Sequence, residues 1–216
     1  MGASEPVELA MFPLESAMLP NEDLPLSIFE PRYGALVQHC VGSGDPFGVV
    51  LISRGREVGG GEMRCDVGTL TRIQDWVDHG SGRYSLRCRT GERIRVCDWL
   101  PDDPFPRAIV RVWPDEPGQQ VRDSELRAVE DRVLALFERI ATARGARLPG
   151  HDVLLGYPRG ATGETAERLF ALASRIPMGP TDRYAVLSSP SAADRLAALS
   201  EAVDSVADMV EFELSP

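Results

Sequence analysis

The apolar residues of this chain change their spacing once, and that change limits the fold more than any other feature. Up to about residue 118 they alternate, or run together in short stretches broken by Gly and Pro, as strands do. Beyond it they recur every three or four residues, as one face of a helix does. Strands first and helices last segregate in space, which is the α+β class. The expected division is an antiparallel β unit with one inserted helix over residues 1–118 and an α-helical bundle over residues 119–216. A chain of 216 residues can supply each unit with its own core.

In the β half, residues 7–15 and 24–30 read as extended segments, and Pro13, Pro20 and Pro25 suit strand ends or sheet edges. Pro31 opens a helix whose stripe is Tyr33, Leu36, Val37, Cys40 and Val41, and Gly42 to Gly44 end it. PFGVVLIS (46–53) is apolar enough to be buried on both faces, 55–62 reads as a loop, and 67–77 as a strand. Residues 83–100 read as a hairpin. Matching Tyr84, Leu86 and Cys88 to Ile94 and Val96 sets residue 88 opposite 94 and 86 opposite 96, with Thr90-Gly91-Glu92 as a three-residue loop. That register gathers Arg87, Arg89, Arg93 and Arg95 on the outer face as an anion patch and sends Cys88 and Cys97 to opposite faces. A strand over 106–113 precedes the linker 114–120.

In the helical half, Leu126, Val129, Val133, Leu136, Phe137 and Ile140 form one stripe, capped by Asp123 or Ser124. Residues 145–150 and 157–163 read as loops, and 164–176 as a helix. Thr181 caps a short helix. Ser191, with Asp194 three residues on, caps the last, whose stripe is Leu196, Leu199, Val203, Val206 and Val210.

All 23 basic residues are arginine. Without lysine the chain cannot build a Walker A loop or a Schiff base, and a Ser–Lys dyad needs an amine that can lose its proton, which guanidinium does not do. Four scattered cysteines (Cys40, Cys65, Cys88, Cys97) and three separated histidines (His39, His79, His151) have neither metal-ligand nor redox spacing. His79 and Ser81 in HGSG lack an orienting acid, and Asp102-Asp103 and Asp115-Glu116 read as solvated turn charges. Catalytic residues, metals and cofactors are therefore expected to be none. The net charge of −10 is spread evenly, 18 acids against 12 arginines before residue 119 and 15 against 11 after it, which disfavours nucleic acid. The chain shows no membrane-length apolar run and no leader pattern, so a cytoplasmic protein is expected.

The opening MFPLESAMLPNEDLPLSIFEPRYGALV resembles the start of the Lon protease N-terminal domain. PFGVVLI, DVGTLTRI, RYSLRCRTGERIRV and PFPRAIVRV are similar to its later strands in the same order. DRYAVLSSPSAADRLAALSEAV is similar to its closing helical part, so the likeness spans nearly the whole chain. It implies a PUA-like pseudo-barrel followed by a helical bundle, in a stand-alone version of the substrate-recognition domain. Its expected partners are polypeptide substrates or partner proteins, with a separate ATPase or protease supplying chemistry. Met18, Leu19, Trp76, Trp99 and Trp113, at strand ends or turns, are the candidate peptide contacts, with at least two of the tryptophans expected to be structural. The alternative is an RNA- or nucleotide-binding PUA-like protein using the four-arginine patch.

Overall fold

The computed structural model describes residues 5–57, 61–157 and 164–214, the side chain of Leu214 excepted. The chain divides into two compact units, Met1–Pro114 and Asp115–Pro216. The first holds β1 (Val7–Leu14), β2 (Asp23–Ile28), α1 (Pro31–Ser43), β3 (Phe47–Arg54), β4 (Met63–Asp78), β5 (Tyr84–Leu100) and β6 (Arg107–Val112). The second holds α2 (Asp123–Arg144), α3 (His151–Leu155), α4 (Thr165–Ala173), α5 (Pro180–Ser188) and α6 (Ala192–Leu214).

The six strands form one sheet in the order β2-β5-β4-β3-β1-β6, and β5 pairs again with β6, so the sheet curls back on itself. Among the described residues only β1 and β3 run parallel, with β2 and α1 in their crossover. Residues 9–14 of β1 and 47–52 of β3 are apolar without a break because both of their faces are covered. Ala10, Phe12, Leu14, Phe47 and Val49 join one core cluster with Tyr33, Leu36, Val37 and Cys40 of α1. Leu9, Met11 and Val50 join the other, with Ile94, Ala108 and Val110. β3 approaches β4 so closely that Gly68 has no room for a side chain: a Cβ there would lie 2.1 Å from the Val49 carbonyl oxygen.

The hairpin expected within residues 83–100 does not exist. β5 is one continuous strand, and its hairpin partner is β4. The chain reverses at residues 79–83, where His79 N–H donates to the Arg83 carbonyl (2.9 Å) and Arg83 N–H to that of Gly80 (3.2 Å). Gly80, Ser81 and Gly82 all take positive φ there. Thr90-Gly91-Glu92, read as a loop, is instead a β-bulge: Thr71 pairs with Thr90 and Thr69 with Arg93, so three steps on β5 match two on β4. The extra residue reverses the alternation of the side chains that follow it, as far as the next irregularity between Val96 and Asp98.

Helix boundaries also move. α2 is capped by Arg122, not Asp123 or Ser124, with Arg122 N–H donating to Glu125 Oε2 (2.8 Å). Gly179 precedes α5, and Thr181 lies inside it behind Pro180. Ser191 Oγ does accept from Asp194 N–H (3.2 Å) at the start of α6. α3 forms where the sequence pattern marks no helix, and α4 ends at Ala173 rather than 176. Residues 58–60 of the expected loop 55–62, and 158–163 of the loop 157–163, lie outside the described residues.

In the helical unit α6 packs against α2, α4 and α5 around Leu126, Val133, Leu169, Leu172 and Leu199. Two buried charges are built into it. Arg195 donates to both oxygens of Asp115 (3.0 and 2.6 Å) with its guanidinium 3.9 Å from the centre of the Phe170 ring. Glu130 accepts from the Tyr157 hydroxyl (2.8 Å) and from Arg168 (3.0 Å). Among the described residues no helix is long and apolar enough to cross a membrane.

Candidate functional site

β2 stands at one margin of the sheet and pairs with β5 alone among the described residues. Its hydrogen-bonding phase follows from its first contact: Thr90 N–H donates to the Glu22 carbonyl (2.9 Å), while Glu22 N–H donates to Thr90 Oγ1 (2.8 Å). Residue 22 therefore faces β5, and with it Leu24, Leu26 and Ile28, two residues apart. The backbone groups of Asp23, Pro25 and Ser27 point the other way. Pro25 has no N–H to offer the ladder, which is why proline fits there.

A cavity of about 340 Å3 runs along that margin. Leu24, Pro25, Leu26, Ser27, Ile28 and Phe29 all line it. Consecutive residues of one strand point to opposite faces, so six in a row can border one cavity only along the strand's edge. Across from them stand Phe12 and Leu14 of β1, Ser16 and Met18 of the following turn, and Tyr33 of α1. β1 pairs with β6 only over residues 7–10 and with β3 over 11–14. The groove is thus a seam in the curled sheet, bordered by β2 on one side and by the second half of β1 on the other.

The walls are apolar and the rim is acidic. Phe12 stacks on Tyr33 with ring centres 4.2 Å apart, and burial raises the Tyr33 hydroxyl pKa well above the ordinary phenol value. Phe29 is 61% exposed at the groove mouth. Among the described residues Glu30 and Glu57 are the charged ones of the lining, and no basic residue shares it. Arg32 holds Glu30 (3.2 Å) and donates to the Glu57 carbonyl (2.8 Å), while the Glu57 carboxylate accepts from Glu15 N–H (2.6 Å).

Of the candidate contacts read from the sequence, only Met18 borders this groove, half-buried. Leu19 is fully buried: its N–H donates to Glu22 Oε2 (2.8 Å) and its carbonyl accepts from Thr90 Oγ1 (2.6 Å), so it locks the turn before β2. Trp76 is exposed on β4, in the row Trp76–Leu86–Leu26, and Trp99 lies half-buried under Arg64. Trp113 is buried between Arg93 (4.3 Å) and Arg95 (3.8 Å). The bulge also separates the four arginines. Arg93 and Arg95 share the face of Cys88, whereas Arg87 and Arg89 lie on the opposite face, paired with Asp75 (3.5 Å) and Asp23 (2.7 Å). The structure does not gather them into one patch.

His79 Nε2 lies 2.8 Å from Ser85 Oγ, so its ring engages the neighbouring strand rather than Ser81. Among the described residues no three His, Cys, Asp or Glu side chains are grouped to hold a metal. Sequence reasoning missed Phe12, Leu14, Phe29, Tyr33 and Glu57 as groove residues. The available signal was Pro25, already marked as an edge residue, with exposed Phe29 just after its strand.

Among solved structures, the Lon N-terminal domain protein from Xanthomonas campestris is 24% identical, with a TM-score of 0.65, over 90% of this chain and 98% of that one. The N-terminal domain of Mycobacterium avium complex Lon protease is 12% identical, with a TM-score of 0.47, over 95% of this chain and 98% of that one. No curated protein matches the chain. The first structure carries the fold likeness: six strands and the helices that follow them. The family model described as the ATP-dependent protease La (LON) substrate-binding domain matches residues 8–205. The chain belongs to the Lon substrate-binding domain family.

Proposed function

We propose that this chain is a non-catalytic module that holds polypeptide segments in the seam beside β2, acting as an adaptor for proteolysis or protein quality control in the cytoplasm. The curled sheet serves as the PUA-like pseudo-barrel of the family, and a separate ATPase or protease supplies any hydrolysis. The observation that carries this reading is the seam itself: an apolar channel along a strand margin that no described strand pairs offers pockets for side chains and hydrogen-bonding groups for a backbone. Trp76 and Val77, exposed on β4, extend the apolar surface of the same unit.

A photo-crosslinking amino acid placed at Phe29, and in a control at Cys97, tests the reading against a reduced, carboxymethylated polypeptide and against single-stranded RNA. Adducts to the polypeptide from position 29 and none from position 97 are expected. Adducts to RNA alone, with binding that falls steeply with salt, would replace this reading with the nucleic-acid one. ATP or peptide hydrolysis abolished by a substitution in this chain would end the non-catalytic reading.

A further inference from the structure

We infer that the seam takes its ligand as an inserted strand, and that it selects an extended segment with alternating apolar residues and a cationic residue at its end. This rests on the reading of the chain as a polypeptide binder and goes on to name the bound shape and charge. The shape follows from the margins. Asp23 and Ser27 turn N–H and C=O groups away from β5, and Pro25 turns a C=O, at the repeat of a β ladder. The opposite margin, residues 11–14 of β1, is likewise bonded to β3 on one edge, with Met11 N–H donating to the Pro106 carbonyl (2.8 Å) where β6 departs. A helix presents no backbone groups to such edges; an extended segment does. Its alternate side chains would enter the space between Phe12, Leu14, Leu24, Leu26 and Met18.

The charge follows from the lining, which among the described residues holds two carboxylates and no cation. Glu30 already has Arg32 beside it. Glu57 is engaged through Oε1 by a backbone N–H, a contact that leaves its charge in place. A segment bearing Arg or Lys next to its apolar residues meets that charge, and one bearing Asp or Glu is repelled.

The test uses the full chain and three labelled peptides of equal length: alternating Leu and Ser flanked by Arg, the same core flanked by Glu, and the Arg-flanked peptide with alternate backbone amides methylated. The Arg-flanked peptide is expected to bind about fivefold tighter than the Glu-flanked one at low salt, the range of one or two exposed charge pairs. Glu57→Gln, which keeps the acceptor oxygen, is expected to reduce that preference by about twofold. Backbone methylation should weaken binding at least about tenfold by removing ladder bonds. Hydrogen exchange at the Ser27 and Asp23 amides should slow on binding, while Leu24, Leu26 and Ile28 stay protected throughout. Equal affinity for all three peptides with unchanged exchange at Ser27, while unfolded polypeptide still crosslinks from position 29, overturns strand insertion and leaves the binding module standing. Failure of every polypeptide to bind overturns both.

Discussion

Asp115→Ala should destabilise the helical unit by more than any other substitution of a solvent-touched residue in it. Asp115 is the first residue of that unit, and it receives two hydrogen bonds from Arg195, 80 positions later on α6. The Arg195 side chain is wholly buried and that of Asp115 is 27% exposed. Removing the carboxylate leaves a guanidinium inside the unit, facing the Phe170 ring, with its bidentate partner gone. Breaking a buried pair in this way costs about 3–5 kcal/mol, and the partial exposure of Asp115 places the expectation near ~3 kcal/mol. Arg195→Met should cost less, because the carboxylate left behind can turn to water, and the double variant should resemble Arg195→Met alone. Urea unfolding of the full chain can be followed by two signals. Far-UV circular dichroism is dominated by the helices, and Trp fluorescence reports the β unit, which contains all three tryptophans. With a slope of about 1–3 kcal/mol per molar urea, the dichroism midpoint of Asp115→Ala should fall by at least about 1 M. A shift below about 0.3 M, or a double variant whose loss equals the sum of the two singles, would refute the claim that this pair anchors the unit.

The remaining expectations address the β unit. Gly68→Ala should cost about 3 kcal/mol, the upper end of overpacking, because its Cβ meets a carbonyl oxygen at 2.1 Å; an unchanged melting temperature would contradict that contact. Leu19→Ala should cost about 2–5 kcal/mol as a fully buried leucine, whereas Met18→Ala should melt near the parent yet bind polypeptide less well by fluorescence anisotropy. Burial pushes the Cys40 and Cys88 thiols up to about 12 from 9.0. The raised folded value means that their share of stability is whole below pH 9 and is lost as pH rises from there toward 12. Urea midpoints should therefore fall over that interval, and a thiol reagent at pH 8 should label exposed Cys97 while sparing Cys40 and Cys88 until unfolding.

What the sequence disclosed was local periodicity, and what it concealed was partnership. The α1 stripe, the two-faced β3 and the α2 stripe were legible because a buried face repeats within one element. Pro25 marked an edge for the equally local reason that it lacks an N–H. The seam was not legible, since it depends on which strands are neighbours: Phe12 and Leu14 meet Leu24 and Leu26 through a topology that no short window contains. Leu19 and Trp113 looked like surface anchors because they lie beside turns. Leu19 is buried by the Thr90 and Glu22 hydrogen bonds, and Trp113 by arginines drawn from a different strand.

The segment that misled the hairpin reading also helps to open the seam. β5 is 17 residues long and changes partner along its length. Residues 84–89 pair with β2, whereas residues 94–100 pair with β6. The bulge at Gly91 and Glu92 lies between those stretches, and it adds twist where the strand passes from one neighbour to the other. Closure of the sheet therefore runs through β5 and β6 and leaves β2 outside it, facing a β1 that β6 has already left. If this is the cause, the extra residue matters and the glycine side does not. A Cβ at Gly91 would meet only the Leu70 carbonyl oxygen, at an ordinary 3.7 Å, so Gly91→Ala should leave the melting temperature within about 2 °C, the shift expected for a change below ~0.5 kcal/mol. Deleting Glu92 removes the extra residue and the twist it adds, and leaves Ile94 and Val96 on the face of Arg87, so the second core cluster keeps Ile94. That variant should keep the Trp fluorescence transition of the β unit while losing peptide binding. A deletion variant that stayed folded, with peptide binding intact, would show that the seam does not depend on the bulge.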